Sequence, residues 1–434
     1  MKALGIYIHI PFCVKKCGYC DFQSMPAGPD MHRRYIEALI NEIRGCETKF
    51  GFSAGEYEVR TIYIGGGTPS VIEPAYIKNI LETVEEVFGY RDLTDAPEIT
   101  IEVNPGTVTE EKLAVYREAG INRLSIGLQS ADDKELKALG RIHSYSDFEK
   151  TYHAAREAGF DNINVDIMTA IPYQTMESLR RTIDTVAGLN TTPEHISAYS
   201  LILEEGTPFY EKYAVNQDNG DEAGGDRGYN KGSYKAEEQN IAEYGLRSKQ
   251  QTGTGDGMNL PGEDEEREMY HFAVERLAQY GYHRYEISNF ARPGYESRHN
   301  SSYWTGTDYL GLGVGASSLI DNVRYRNTTQ MKEYMNAPVS SLGFDEELRL
   351  GLSDRMEEFM FLGLRMSSGI SEDEFVRRFG RTVDESFGNV LEKLIVDGLI
   401  ERNGGRIRLT EEGIDYGNYV FSRFLEPDIS DQPR

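Results

Sequence analysis

Short apolar runs alternate with longer amphipathic stretches through the first half of the chain. Leu4–Ile10, Val59–Ile64, Ile99–Val103, Arg123–Leu128, Ile163–Met168 and His195–Ile202 read as strands. Met31–Phe50, Glu73–Phe88, Glu110–Ala119, Asp132–Gly140 with Ser146–Ala158, and Met176–Gly188 read as the helices between them. This β-α repetition predicts an α/β fold with a parallel sheet and helices outside it. Six such units predict an open partial (β/α)6 barrel rather than a closed eight-stranded one.

The pattern breaks at residues 214–262, where glycine and charge dominate; an exposed, flexible acidic insertion is expected there, with a short helix at Tyr234–Tyr244. Residues 263–345 return to order with a helix at Glu265–Gln279 and a strand around Tyr282–Ile287, completing the barrel that occupies 1–213. Residues 346–434 read as a separate module: helices at Arg355–Met366, Glu372–Phe379 and Phe387–Asp397, then a hairpin of Gly398–Arg402 and Arg406–Leu409 turning on Asn403-Gly404-Gly405. Helices followed by a small hairpin predict a winged-helix-like shape, which does not by itself imply DNA binding.

Composition narrows the function classes. With 46 Lys+Arg against 71 Asp+Glu the net charge is -25, which disfavours non-specific nucleic-acid binding. No apolar run is long enough to span a bilayer. Met1-Lys2-Ala3-Leu4 leads straight into a strand, so no targeting peptide is expected and a cytoplasmic location is.

Three of the four cysteines, Cys13, Cys17 and Cys20, follow the first strand in a C-x3-C-x2-C spacing. A cubane [4Fe–4S] cluster is normally held by four thiolates, so three close thiolates leave one iron open. Zinc usually takes four ligands in paired groups, and a disulfide framework does not suit so long a chain with so few cysteines. Cys46 falls in an amphipathic helix, apart from the others, as an ordinary buried thiol would. The other strand ends also carry polar or glycine positions: Gly65-Gly66-Gly67-Thr68-Pro69-Ser70, Glu102-Val103-Asn104-Pro105, Gln129-Ser130, Asp166, and Tyr199-Ser200. In barrels of this kind chemistry gathers at that rim. The glycines permit close backbone approach to a ligand, and equally a tight turn. Glu102, Gln129, Arg141 and Asp166 can bind hydroxyls or a carboxylate, and equally make surface salt bridges.

The cysteine spacing resembles that of the radical S-adenosylmethionine (SAM) superfamily. The runs IYIHIPFCVKKCGYCDF (6–22), IGGGTPS (64–70), IEVNP (101–105), RLSIGLQS (123–130), LGRIH (139–143), HISAYSL (195–201) and YEISNFARPGYESRHNSSYW (285–304) are similar to its oxygen-independent coproporphyrinogen III oxidase-like branch, which includes the HemW-type haem chaperones. The resemblance implies a [4Fe–4S] cluster on Cys13, Cys17 and Cys20, with SAM closing the fourth iron and cleaved there to a 5′-deoxyadenosyl radical when the cluster is reduced. It places Tyr7, Tyr19, Gly66, Gly67, Thr68, Glu102, Gln129, Arg141 and Asp166 at SAM-contact positions. It assigns no catalytic residue.

Two details favour the chaperone type within that branch. The oxidase type has a further cysteine two residues after the third ligand, where Phe22 stands here. His299-Asn300-Ser301-Ser302-Tyr303-Trp304 matches the HNxxYW motif implicated in haem binding, with His299 as axial ligand and Tyr303 and Trp304 against the porphyrin; on the residues alone it reads as a core histidine among aromatics. The implied partners are haem or a porphyrin, a haem acceptor protein and an electron donor for the cluster; a homodimer is compatible. The rival readings are coproporphyrinogen III oxidase itself and a radical SAM enzyme with another substrate. Ala170 and Tyr173 replace glycines of a G-x-P-G-Q-T run, and Ser317 replaces the histidine of a GAHS run, which keep the last reading open.

Overall fold

The computed structural model describes residues 1–213 and 260–425 apart from 92 and 94. The expected Tyr234–Tyr244 helix, and all of the 214–262 insertion except its last three residues, lie outside the described residues.

Six parallel strands form the centre: β1 (Lys2–Ile10), β2 (Tyr57–Gly66), β3 (Glu98–Val103), β4 (Arg123–Gln129), β5 (Ile163–Thr169) and β6 (His195–Ser200). They pair in sequence order through successive right-handed crossovers. Alternation along these strands sorts the side chains. Ile6, Ile8, Ile62, Ile64, Ile99, Ile101, Leu124, Ile126, Val165 and Ile196 pack outward beneath the helices in one continuous apolar core. The alternate positions, among them Tyr7, His9, Thr61, Tyr63, Thr100, Glu102, Arg123, Ser125, Asn164, Asp166, His195 and Ser197, face the barrel interior and are polar.

The helices are punctuated by local chemistry. The first, Pro29–Phe50, starts with proline at its first position and ends on Gly51 at φ 71, where glycine carries no Cβ penalty. Met176–Ala187 begins in a capping box between Thr175 and Ser178.

The sheet runs further than six units predict. Beyond β6 lie β8 (Asn289–Ala291) and β7 (His283–Glu286), antiparallel. Beyond β1 lie β9 (Asp308–Leu312), parallel to it, then β10 (Ser317–Ile320), β11 (Val323–Asn327) and β12 (Phe344–Arg349), antiparallel in turn. The result is a twelve-stranded sheet that stays open, with β12 and β7 as its edges.

Because β12 pairs with β11 up to Arg349, the helical module begins at the Leu352–Gly363 helix and not at 346. It has its own core of Met356, Met360, Phe375, Phe387, Leu391, Leu394, Ile407 and Phe424. A three-stranded sheet, β13 (Ile370–Ser371), β15 (Arg406–Leu409) and β14 (Ile400–Asn403), completes a winged-helix arrangement. Its third helix starts at Val383, four residues before the predicted Phe387. Thr382 and Glu385 cap it, and Phe387 marks a kink at φ -139, ψ 23.

Candidate metal and cofactor centre

The cysteine loop leaves the top of β1 and is held in place by backbone contacts. Cys13 N–H donates to Met25 O (3.1 Å) and Met25 N–H to Pro11 O (2.9 Å). The glycine run ending β2 clasps it from the side: Gly67 N–H donates to Ile10 O (2.9 Å) and Thr68 N–H to Phe12 O (2.7 Å). A Cβ on Gly67 would stand 2.7–2.9 Å from Phe12 O, Phe12 N and Ile10 O, all rigid backbone. Phe209, beyond β6, lies over Gly18 so closely that a Cβ there would come within 2.5 Å of its ring.

Cys13, Cys17 and Cys20 are all free and half-buried. Thr68 Oγ1 donates to Cys13 Sγ (3.4 Å) and Arg141 Nη1 to Cys17 Sγ (3.8 Å). Burial pushes the Cys20 thiol up to about 11, the cost that iron binding would repay by taking the proton's place. Among the described residues no three His, Cys, Asp or Glu side chains converge as ligands of a single ion. A cubane asks for something else, since each thiolate holds its own iron corner. Three soft sulfur donors on one clasped loop, with a cation and a hydroxyl beside them, fit that group. Cys46 is fully buried in the first helix, and burial pushes its thiol up to about 12, as suits an inert core residue.

The expected SAM-contact residues lie at the same rim and in the barrel beneath it. Glu102 accepts from Tyr63 Oη (2.9 Å) and Gly66 N–H (3.1 Å), and burial pushes its carboxyl up to about 7. Gly66 sits at φ 110 where a Cβ would enter the His9 ring. The amide of Gly66 is thus committed to Glu102 and that of Gly67 to the cysteine loop; much of the glycine run's purpose is local architecture. Gln129, at φ 74, accepts from Tyr199 Oη (3.0 Å). Arg141 donates to Gly127 O (2.7 Å) and to Asn104 Oδ1. Gly127 has no Cβ because one would stand 2.9 Å from the Gln129 amide and 3.1 Å from the Arg141 guanidinium. Asp166 accepts from Asn164 Nδ2 (2.6 Å) and Ser125 Oγ (3.5 Å). Tyr7 bonds His9 (2.9 Å), whose other nitrogen meets Gln23 O (2.9 Å), and Tyr19 packs on Phe209 at 6.2 Å. Ala170 (φ 55) and Tyr173 (φ 69) occupy left-handed backbone, the reason glycines suit those places.

The HNxxYW segment stands elsewhere. It forms the Arg298–Trp304 helix, whose first amides donate to Glu98 at the foot of β3 (Arg298 and His299, both 3.0 Å). His299 is 1% exposed. Its Nδ1 bonds Thr61 Oγ1 (2.8 Å), its Nε2 bonds Tyr303 Oη (2.9 Å), and burial pulls its pKa down to about 3. In this arrangement both ring nitrogens of His299 are engaged within the protein. Tyr303 meets Tyr309 edge-on at 4.8 Å, and Trp304 carries the Arg365 guanidinium of the C-terminal module at 4.3 Å. Tyr63 joins this segment to the rim: its ring stacks on His299 at 5.0 Å while its hydroxyl serves Glu102.

Sequence reading missed Tyr63, Phe209 and Arg123. Only the inward phase of β2 and β4 could have pointed to the first and last; nothing local marks Phe209.

A partial barrel with a three-thiolate loop at its carboxyl rim defines a radical SAM protein. Residues 7–186 match the radical SAM superfamily model and 350–416 the HemN C-terminal domain. The chain belongs to the HemW family. It is 34% identical to "Heme chaperone HemW" of Bacillus subtilis over 96% of this chain and 98% of that one, and 33% identical to "Heme chaperone HemW" of Lactococcus lactis over 99% of each. Coproporphyrinogen III oxidase (HemN) from Escherichia coli, described as a radical SAM enzyme, shares the fold: TM-score 0.74 at 23% identity, over 98% of this chain and 90% of that one. A [4Fe–4S] cluster and SAM are the cofactors of this superfamily. No helix among the described residues is long and apolar enough to cross a membrane.

Proposed function

We propose that this chain is a haem chaperone, binding haem and passing it to an acceptor protein. The observation that carries the reading is full-length relatedness to proteins named for that role. The HNxxYW helix and the 59%-exposed Phe22, which offers no fourth thiol beside the cluster loop, support it. Cys13, Cys17 and Cys20 would hold the cluster, and Thr68, Glu102, Gln129, Arg141 and Asp166 would position SAM. Bound there, the pair would supply reductive radical chemistry. An electron donor is needed for that chemistry.

Ligation of haem by His299 requires the Arg298–Trp304 helix to leave its seat. The imidazole is already neutral, so what must be given up is the Thr61 hydrogen bond on Nδ1, the Tyr303 hydrogen bond on Nε2, the Glu98 bonds to the Arg298 and His299 amides, and the contact with Tyr63. Release of Trp304 from Arg365 would give the helix that freedom. Haem titration of the anaerobically reconstituted protein, followed by transfer to apomyoglobin, tests the reading. A second sample receives SAM, reductant and coproporphyrinogen III. Saturable haem binding and transfer without decarboxylated porphyrin is expected. Decarboxylated product would establish the oxidase instead.

A further inference from the structure

Arg123 opens β4 on its inward face, in register with Thr100 of β3. It is 1% exposed, and none of its Nε, Nη1 and Nη2 atoms has a hydrogen-bond partner. The Thr100 hydroxyl beside it is likewise buried without one. A guanidinium is always charged and presents five donors, so leaving it bare is costly. Around it stand Tyr63 of β2, Asp166 of β5, His195 of β6, Tyr285 of β7 and His299. Both histidines are spoken for. His195 bonds Asn164 Oδ1 (2.6 Å) and Tyr285 Oη (2.9 Å), and burial followed by the Arg123 charge keeps both rings neutral.

Above it two carboxylates share the lumen. Asp166 is close enough to raise the Glu102 carboxyl, and neither forms an ion pair among the described residues; the hydrogen-bond donors on Asp166 are neutral. The other groups facing Asp166 are Arg123, Arg141, Tyr63 and Tyr199. Arg141 is already tied to Gly127 O, Asn104 and Cys17. Among the described residues facing Asp166, the cation without a hydrogen-bond partner is Arg123.

We infer that Arg123 is a positioning residue of the cofactor site, a counter-charge built into the barrel floor that lets Asp166 stand as a carboxylate and accept hydrogen bonds from ligand hydroxyls. This rests on the reading of Asp166 as a SAM contact. Burial raises the Asp166 carboxyl; the Asn164 and Ser197 hydrogen bonds pull it back first, and the Arg123 and Arg141 charges add to them. Removing Arg123 therefore raises the Asp166 midpoint.

The test reads Asp166 directly, by isotope-edited infrared titration of [13C]aspartate-labelled protein. An E102Q background leaves one lumen carboxyl to titrate, and loss of the band in E102Q/D166N identifies it. R123Q should move the midpoint up, and R123K, which keeps the charge, should hold it near the parent value. An unmoved midpoint in R123Q, or an upward shift in R123K equal to that of R123Q, would overturn the inference. If R123Q does not fold, R123M, which keeps the side chain's length without the charge, takes its place with the same outcomes. SAM affinity of the cluster-loaded protein is measured separately. If D166N binds SAM as tightly as the parent, the cofactor reading of Asp166 fails whatever the infrared midpoint shows.

Discussion

Gly67→Ala isolates the claim that the glycine run exists to seat the cysteine loop. The added methyl would stand 2.7–2.9 Å from Phe12 O, Phe12 N and Ile10 O, and backbone atoms cannot rotate aside as a side chain can. Relief means parting the loop from β2, which gives up the Gly67–Ile10 and Thr68–Phe12 hydrogen bonds. Each is worth about 1 kcal/mol net, and overpacking adds about 1–3 kcal/mol. The loop's cluster-competent position should lose about 3–5 kcal/mol, or two to nearly four orders of magnitude in occupancy. The assay is anaerobic reconstitution, with iron and sulfide counted per chain, and urea unfolding of the apoprotein alongside. Gly55→Ala is the control, since its nearest neighbour, Ser53 Oγ, lies 4.0 Å away. A G67A protein that takes up iron and sulfide at the parent stoichiometry, with an unchanged urea midpoint, would refute the reasoning.

Three further outcomes are expected. Cys17→Ala should abolish the thiolate-to-iron absorbance at roughly 400 nm, and retained iron and sulfide would remove Cys17 from the site. Ala170→Val puts a β-branched residue at φ 55 in a buried position and should destabilise by about 3 kcal/mol, while Ala170→Gly stays within about 1 kcal/mol; equal unfolding midpoints for the two would sink the strain argument. His299 titrates near 3 when folded and near 6.5 when unfolded, so the unfolded chain binds the extra proton and stability falls as pH drops below 6.5. The loss should reach about 2 kcal/mol at pH 5, and His299→Asn should flatten that limb of a urea-midpoint profile; an equally steep profile in the variant would contradict it.

What was legible in the sequence follows physical scale. The six parallel strands are runs of branched apolar residues bounded by turns, and their ends fall within about two residues of expectation at most places, as local pattern allows. The cysteine loop was legible because its spacing is contiguous. Ala170 and Tyr173 were read as departures from glycine, and the backbone there is indeed left-handed. Of the flanking strands only β7 was legible, as the strand expected around Tyr282–Ile287. Gly311-Leu312-Gly313-Val314-Gly315-Ala316-Ser317-Ser318 carries three glycines and little strand signal, yet it ends β9 and opens β10, with Gly311 so tight against Ser317 that no side chain fits. The burial of His299 was not legible for a related reason. A motif names residue types, but whether an imidazole faces solvent or a tyrosine is settled by packing between segments more than two hundred residues apart, such as Thr61 and His299.

The interior of the barrel explains why such packing matters. A filled barrel would place branched aliphatics inside. Here the apolar residues have been moved to the outer face, and the inner face carries Tyr63, Glu102, Arg123, Asp166, His195 and His299. None of these contributes the transfer energy an isoleucine would, and the charged ones oppose folding unless compensated. That arrangement suits a lumen shaped for a polar ligand at its top. It also means that the floor and the rim share one electrostatic and hydrogen-bonded wall. Tyr63 links the two, with His299 stacked against its ring and Glu102 bonded to its hydroxyl. A movement of the Arg298–Trp304 helix large enough to expose His299 strips one face of Tyr63, and so reaches the Glu102 carboxylate without any longer relay.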